Sequence, residues 1–226
     1  MKGNIILVVL SGLFLISCSS TSLKRAWKDQ SFSQATTNKT LIIVKSKDQE
    51  VRKAYENELA AKLKKKGYLV VVAHQEFPDL RNKENRTESE IANIIDNFRE
   101  KDIQNVMITS LKNIKTVTPE PENNQTVTTN PIITPRPISV TFLEYYTSYS
   151  STEYLTETLR PRSGDAPQGE YIEFLSSTVY NLETLIYDIT KKTDNQLIGR
   201  FQVEASDPSS AQDVLNKFTT LIAKQF

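Results

Sequence analysis

Cys18 is the only cysteine in the chain, and it closes the tetrapeptide Leu15-Ile16-Ser17-Cys18. Lys2 supplies a positive start, Ile5 to Ile16 an almost wholly apolar stretch, and Ser17 a residue small enough for a signal-peptidase pocket. That is the layout of a bacterial lipoprotein leader. The chemistry it predicts is thioether formation: the Cys18 thiol accepts a diacylglyceryl group, residues 1–17 are removed, and the new amino terminus takes a further acyl chain. Two or more chains hold a protein stably at a membrane, each buried methylene adding about 0.8 kcal/mol. The apolar stretch itself is too short to cross a bilayer, which takes about 20 residues.

Other reactive side chains are sparse. A hydrolytic triad needs a base that titrates near neutrality, and His74 is the only histidine. His74 and Glu76 would share one face of a strand, but a zinc site wants three or four ligands and neither a second histidine nor a free thiol remains. His74 is therefore expected at a loop edge, hydrogen-bonded to backbone. Gly164-Asp165-Ala166-Pro167-Gln168-Gly169 imitates the glycine spacing of a phosphate loop, yet Glu170 stands where the lysine should be and no apolar strand leads in. Glu144 and Glu153 have the side chains for glycoside cleavage, which needs two carboxylates about 5–10 Å apart. No catalytic, cofactor or metal site is predicted. The aromatic cluster Phe142, Tyr145, Tyr146, Tyr149 and Tyr154 offers a surface instead. Tyrosines with an apolar body and a wet end suit interfaces and stack on sugar rings; Tyr145 and Tyr149, sharing one face of a strand, are the candidate partner-binding residues.

The composition excludes one class of partner. The chain has 28 Lys and Arg against 27 Asp and Glu, and loss of Lys2 with the leader brings the two to parity. A nucleic-acid binder would carry a basic excess. With the single thiol acylated no disulfide forms, so stability in an oxidising compartment has to come from core packing.

The elements that would position these groups can be read in order. Residues 18–39, rich in Ser, Thr, Gln and Lys, read as a lipidated flexible tether with a mean reach of about 25 Å, in which the lone Trp27 is expected to dock on the domain. Leu41 to Val44 is a continuously apolar run that suits a strand buried on both faces. Val51, Ala54, Tyr55, Leu59 and Leu63 recur at helical spacing from Asp48 to Lys66, with Gly67 as the stop. Lys62, Lys64, Lys65 and Lys66 at that end complement the helix dipole and solvate the outer face.

Tyr68 to Ala73 predicts a second strand, Thr87-Glu88-Ser89-Glu90 a capping box for a second helix, and Asn105 to Thr109 a third strand. Strand alternating with helix implies parallel pairing. Pro119, Pro121, Pro131, Pro135 and Pro137 then predict an irregular excursion. Residues 138–150 read as an aromatic strand.

A long hairpin turns around Lys191 to Asn195, with Leu182 facing Val203, Tyr180 facing Ala205, Thr184 facing Phe201 and Ile186 facing Gly199 on its covered face. The wetter face pairs Asn181 with Glu204, Glu183 with Gln202 and Leu185 with Arg200. Asp207-Pro208 predicts the cap of a terminal helix lined by Ala211, Val214, Leu215, Phe218, Leu221 and Ile222. The fold class expected is α/β: a mixed sheet, three parallel β/α units followed by antiparallel strands including the long hairpin, and a C-terminal helix. The expected organisation is a leader over 1–17, the tether, and one domain over 40–226 with loops at 110–137 and 155–170.

Glu58-Leu59-Ala60 through Leu63 and Gly67-Tyr68, then Ala73-His74-Gln75-Glu76-Phe77-Pro78, and Leu182 to Asp188 followed by Leu197-Ile198-Gly199-Arg200 resemble a group of small outer-membrane lipoproteins of Gram-negative bacteria. That group is related to the penicillin-binding-protein activator and curli-secretion lipoproteins. The resemblance implies a β/α sandwich over residues 41–225 and no particular catalytic machinery. In such lipoproteins the absence of Asp after the acylated cysteine goes with transfer to the outer membrane, and the absence of an acidic run goes with a periplasmic face. The expectation is a non-enzymatic, lipid-anchored periplasmic module for binding or envelope assembly. Its partners would be the membrane, through Cys18, and a protein or cell-wall polymer. The alternative is a carbohydrate-active or carbohydrate-binding lipoprotein using the aromatic and acidic segment.

Overall fold

The computed structural model describes residues 20–46, 48–78, 80, 87–119, 125–131, 142, 177–192 and 195–226. Its strands are β1 (Ser20–Lys28), β2 (Thr40–Val44), β3 (Val70–Val72), β4 (Asn105–Pro119), β5 (Gln125–Pro131), β6 (Ser177–Asp188) and β7 (Leu197–Ser206). Its helices are α1 (Phe32–Ala35), α2 (Gln49–Lys65), α3 (Ala73–Glu76), α4 (Glu88–Glu100) and α5 (Ala211–Ala223). They build the expected α/β architecture. The sheet runs β1-β7-β6-β4-β2-β3, with β5 added to β4. β3, β2 and β4 are parallel to one another, and β6, β7 and β1 extend the sheet antiparallel.

Each element has a local cause. Asp48 caps α2 by accepting from the Glu50 and Val51 amides, and Gly67, at φ 88°, lets the chain leave that helix. The Thr87–Glu90 capping box closes the start of α4 on both sides. The β6–β7 hairpin adopts the register read from its alternation, from Tyr180 opposite Ala205 to Ile186 opposite Gly199. Gly199 is required there by close approach: a Cβ would lie 2.8 Å from Phe32 Cε2.

One core, with Leu59, Leu63, Phe201 and Phe218, lies between the sheet and α2 and α5. The other, with Leu41, Ile91, Phe98, Val106 and Tyr187, lies beneath α3 and α4. Within the first, the Tyr55 hydroxyl packs near Phe218 and has no hydrogen-bond partner; burial pushes its pKa up. Tyr55→Phe is therefore expected to leave stability unchanged or raise it by up to about 1 kcal/mol in a denaturant titration, because an unmet buried hydroxyl carries only its desolvation cost.

Several sequence expectations are corrected. Residues 20–39 are not a tether: β1 pairs with β7 along its length, and Phe32 of α1 enters the core. Trp27 does not dock but stays 48 % exposed. A loop over 110–137 does not hold either, since Asn113 to Pro119 ladder with Gln125 to Pro131. Pro119 and Pro131 sit at the ends of that ladder, where a missing N–H costs least. The second strand stops at Val72, and Ala73 to Glu76 turn as a helix. Ser210 caps the terminal helix, taking the Asp213 amide, while Asp207 instead accepts from the Thr178 amide. The hairpin's second face is not wet at Leu185 and Tyr187, which lie in the α4-side core. Ala54 points to solvent, whereas Arg52 and Glu56 are buried.

Candidate functional site

A buried polar cluster lies at the carboxyl edge of β2 and β3, the side of an open α/β sheet where ligands characteristically bind. Its geometry follows from the shortness of β3. Thr40 donates to the Leu69 carbonyl, so alternate residues of β2 direct their amides toward β3, and the Val44 amide points the same way. There the chain has already turned into α3. Glu56 of α2 fills the gap: its Oε1 accepts from the Val44 amide at 3.2 Å and from Arg52 Nε at 3.0 Å. Its Oε2 accepts from the His74 amide at 2.8 Å and meets His74 Nδ1 at 2.6 Å. One carboxylate thus ties the ends of two strands to a helix.

Arg52, 2 % exposed, spans from this carboxylate to the Leu80 carbonyl through Nη1 at 3.4 Å, and its Nη2 is buried without a partner. One residue beyond β2, the Lys45 amide donates to Thr109 of β4 and its side chain is buried. That burial depresses its ammonium to a pKa of about 7. A second buried ionic group sits on the hairpin, where Glu183 accepts from Arg200 at 2.7 Å, Gln202 at 3.1 Å and Lys112 at 3.1 Å. Between α3 and α4 a hollow of about 350 Å³ is lined by Phe77, Leu80, Ile94, Asn97 and Phe98. Lys101 lies 4.8 Å over the Phe77 ring and 3.2 Å from the Glu76 carboxylate.

Chemically, the first cluster is a clamp. Every acceptor direction of Glu56 is used, two of its four donors are backbone amides, and His74 has its Nδ1 side committed. No Ser, Thr or Cys side chain among the described residues hydrogen-bonds to His74. Among those residues no three metal-ligating side chains gather. The shared strand face that the sequence suggested for His74 and Glu76 does not exist, because both lie in α3 and Glu76 pairs with Lys101. His74 is held by a carboxylate, not at a loop edge by backbone. Of the lysine-rich end of α2, Lys62 pairs with Glu58 and Lys66 reaches the Ala223 carbonyl at the end of α5, while Lys64 and Lys65 are exposed.

Cys18, Tyr145, Tyr149, Glu144, Glu153 and the Gly164–Gly169 segment lie outside the described residues. Phe142, from the aromatic segment expected as a strand, has helical backbone and is buried against Phe98 and Tyr187. Sequence reasoning missed Arg52 and Glu56. Their signal was available: opposite charges four apart, in phase with Leu59 and Leu63 on the helix's inward face.

No family model matches the chain, and no curated protein matches it. Among solved structures the chain is similar to the PelC dodecamer from Paraburkholderia phytofirmans, with a TM-score of 0.40 at 10% identity, covering 91% of this chain and 94% of that one. A substituted form of the same dodecamer gives a TM-score of 0.38 at 10% identity with the same coverage. At these values the likeness bears no weight for the function of this chain. No helix among the described residues is long and apolar enough to cross a membrane.

Proposed function

We propose that the chain is a lipid-anchored domain of the Gram-negative outer membrane, facing the periplasm, that binds a protein or envelope polymer and catalyses no reaction. The observation that carries this reading is the junction at Cys18: the one thiol of the chain ends an apolar leader and is followed two residues later by the first residue of β1. Acylation there joins the lipid directly to an edge strand of the folded sheet. The non-enzymatic part is supported by the single histidine being held in the Glu56 clamp, and the choice of partner by charge parity, which disfavours nucleic acid.

Mass spectrometry of the protein from the envelope fraction tests the anchor. The expected result is a diacylglyceryl thioether on Cys18 and release of the protein to the soluble fraction by Cys18→Ala. An unmodified thiol on a freely diffusing product would end the proposal. Turnover of a wall fragment by the purified protein, abolished by one Asp or Glu substitution, would overturn its non-enzymatic part. Loss of glycan binding in Tyr145→Ala/Tyr149→Ala with an unchanged melting transition would favour the carbohydrate reading.

A further inference from the structure

We propose that β1 is a membrane-contact edge, laying Trp27 and Arg25 on the anionic lipid headgroups beside the anchor. The inference rests on the proposed acylation of Cys18 and goes on to assign the surface that meets the bilayer.

β1, Ser20-Thr-Ser-Leu-Lys-Arg-Ala-Trp-Lys28, is the outermost strand at its end of the sheet and contains three cations and no carboxylate. The ladder with β7 slips between Leu23 and Arg25, a bulge with Lys24 as the extra residue. Before the bulge Leu23 faces Val203 and packs on the core; after it Ala26 faces Phe201, while Arg25 and Trp27 stand beside Gln202 and Arg200 on the opposite face. The bulge therefore turns outward an indole that an unbroken register would have set opposite Gly199, on the core face that also carries Phe201.

Trp27 and Leu69 are the exposed large hydrophobics among the described residues, at 48 % and 63 %. They sit at opposite edges of the sheet, and only Trp27 lies on the strand that follows Cys18.

The position of the anchor selects lipid as the occupant. Cys18 is two residues from Ser20, so about 7 Å of chain separates an acylated sulfur from the strand. Trp27 lies seven residues further on, about 23 Å along β1. So short a link holds the Ser20 end of β1 at the membrane surface, and laying the strand along that surface brings Trp27 to the headgroups. An indole with a polar N–H belongs at headgroup depth, and Arg25 beside it meets phosphate. The free backbone groups of the edge remain in the hydrated headgroup layer rather than in hydrocarbon. Lys24 pairs with Glu204, and Lys28 folds back to the Gln225 carbonyl, which leaves Arg25 as the cation presented with Trp27.

Trp27 is the only tryptophan of the chain, so its fluorescence reports this edge alone. The full-length acylated protein is placed in vesicles of phosphatidylethanolamine with phosphatidylglycerol containing brominated lipid, and the mass of the same sample records the state of Cys18. The expected result is a blue-shifted emission quenched by bromine near the headgroups, with quenching reduced at least about twofold by Arg25→Glu or by phosphatidylcholine in place of the anionic lipid. Acylated protein whose Trp27 remains open to aqueous quencher would overturn the membrane edge and leave the anchor standing. Protection of Trp27 in native envelopes but not in these vesicles would assign the edge to a protein and overturn it equally. An unmodified Cys18 would remove the anchor and this inference together.

Discussion

Glu56→Ala is expected to be among the most damaging single substitutions in this protein, lowering the free energy of unfolding by about 3–5 kcal/mol. The carboxylate serves four donors, Arg52 Nε, His74 Nδ1 and the amides of Val44 and His74. Its loss leaves a buried guanidinium without its counter-charge and two main-chain groups unmet, each unmet group costing about 1–3 kcal/mol. Because half of the donors are backbone, an apolar replacement of the Arg52–Glu56 pair as a unit cannot restore what is lost, unlike buried ion pairs made of side chains alone. Denaturant titration followed by far-ultraviolet circular dichroism measures the change. A loss below about 1 kcal/mol would show that water reaches the carboxyl edge of β2 and takes over as acceptor.

Lys45→Met is expected to act in the opposite direction, and in a pH-dependent way. Burial lowers the Lys45 pKa from 10.5 to about 7, so between those values the unfolded chain holds a proton that the folded chain has released. Stability in this interval rises with pH. Below about pH 7 the ammonium is charged in both states and the full cost of burying it is present; above pH 10.5 both states are neutral and the cost is gone. At about 1.4 kcal/mol for each pH unit of that interval, the substitution should stabilise the fold by on the order of 3–5 kcal/mol at pH 7. The gain should shrink steadily toward zero as pH approaches 10.5. Melting curves of both proteins across this range, compared as differences, cancel the titration of every other group. A gain independent of pH would mean that the side chain keeps its charge solvated in the folded state.

The parts of the fold that were legible in the sequence are those in which one periodicity runs long enough to leave no alternative. In the β6–β7 hairpin, a slip of one residue would exchange Leu182 and Ile186 with Glu183 and Leu185, moving a carboxylate onto the Phe201 face; the alternation admits one register. The same pairing put Glu183 opposite Gln202, so part of the second ionic cluster was implicit in it. The capping box of α4 and the Gly67 stop of α2 were legible for a similar reason, since each depends on residues within one turn.

The β4–β5 ladder was hidden by its prolines, although the run of β-branched residues in Thr116-Val117-Thr118 and Thr126-Val127-Thr128-Thr129 carried the strand signal. Composition concealed β1, because Ser, Thr and Lys read alike in a tether and on an exposed edge.

By itself the sequence determined the alternation of strand and helix, the hairpin register and the terminal helix, all of which rest on local chemistry or on a repeated spacing. Tertiary structure alone decided two things. The early end of β3 left the Val44 amide without a strand partner, and Glu56 of α2 accepts from it; the i, i+4 charge pair was visible on the inward phase of the helix, but the group it would serve was not. The bulge at Lys24 decided which way Trp27 would point, because a single extra residue on one strand reverses the facing of all that follow, and nothing in the spacing of the chain records where a ladder will slip.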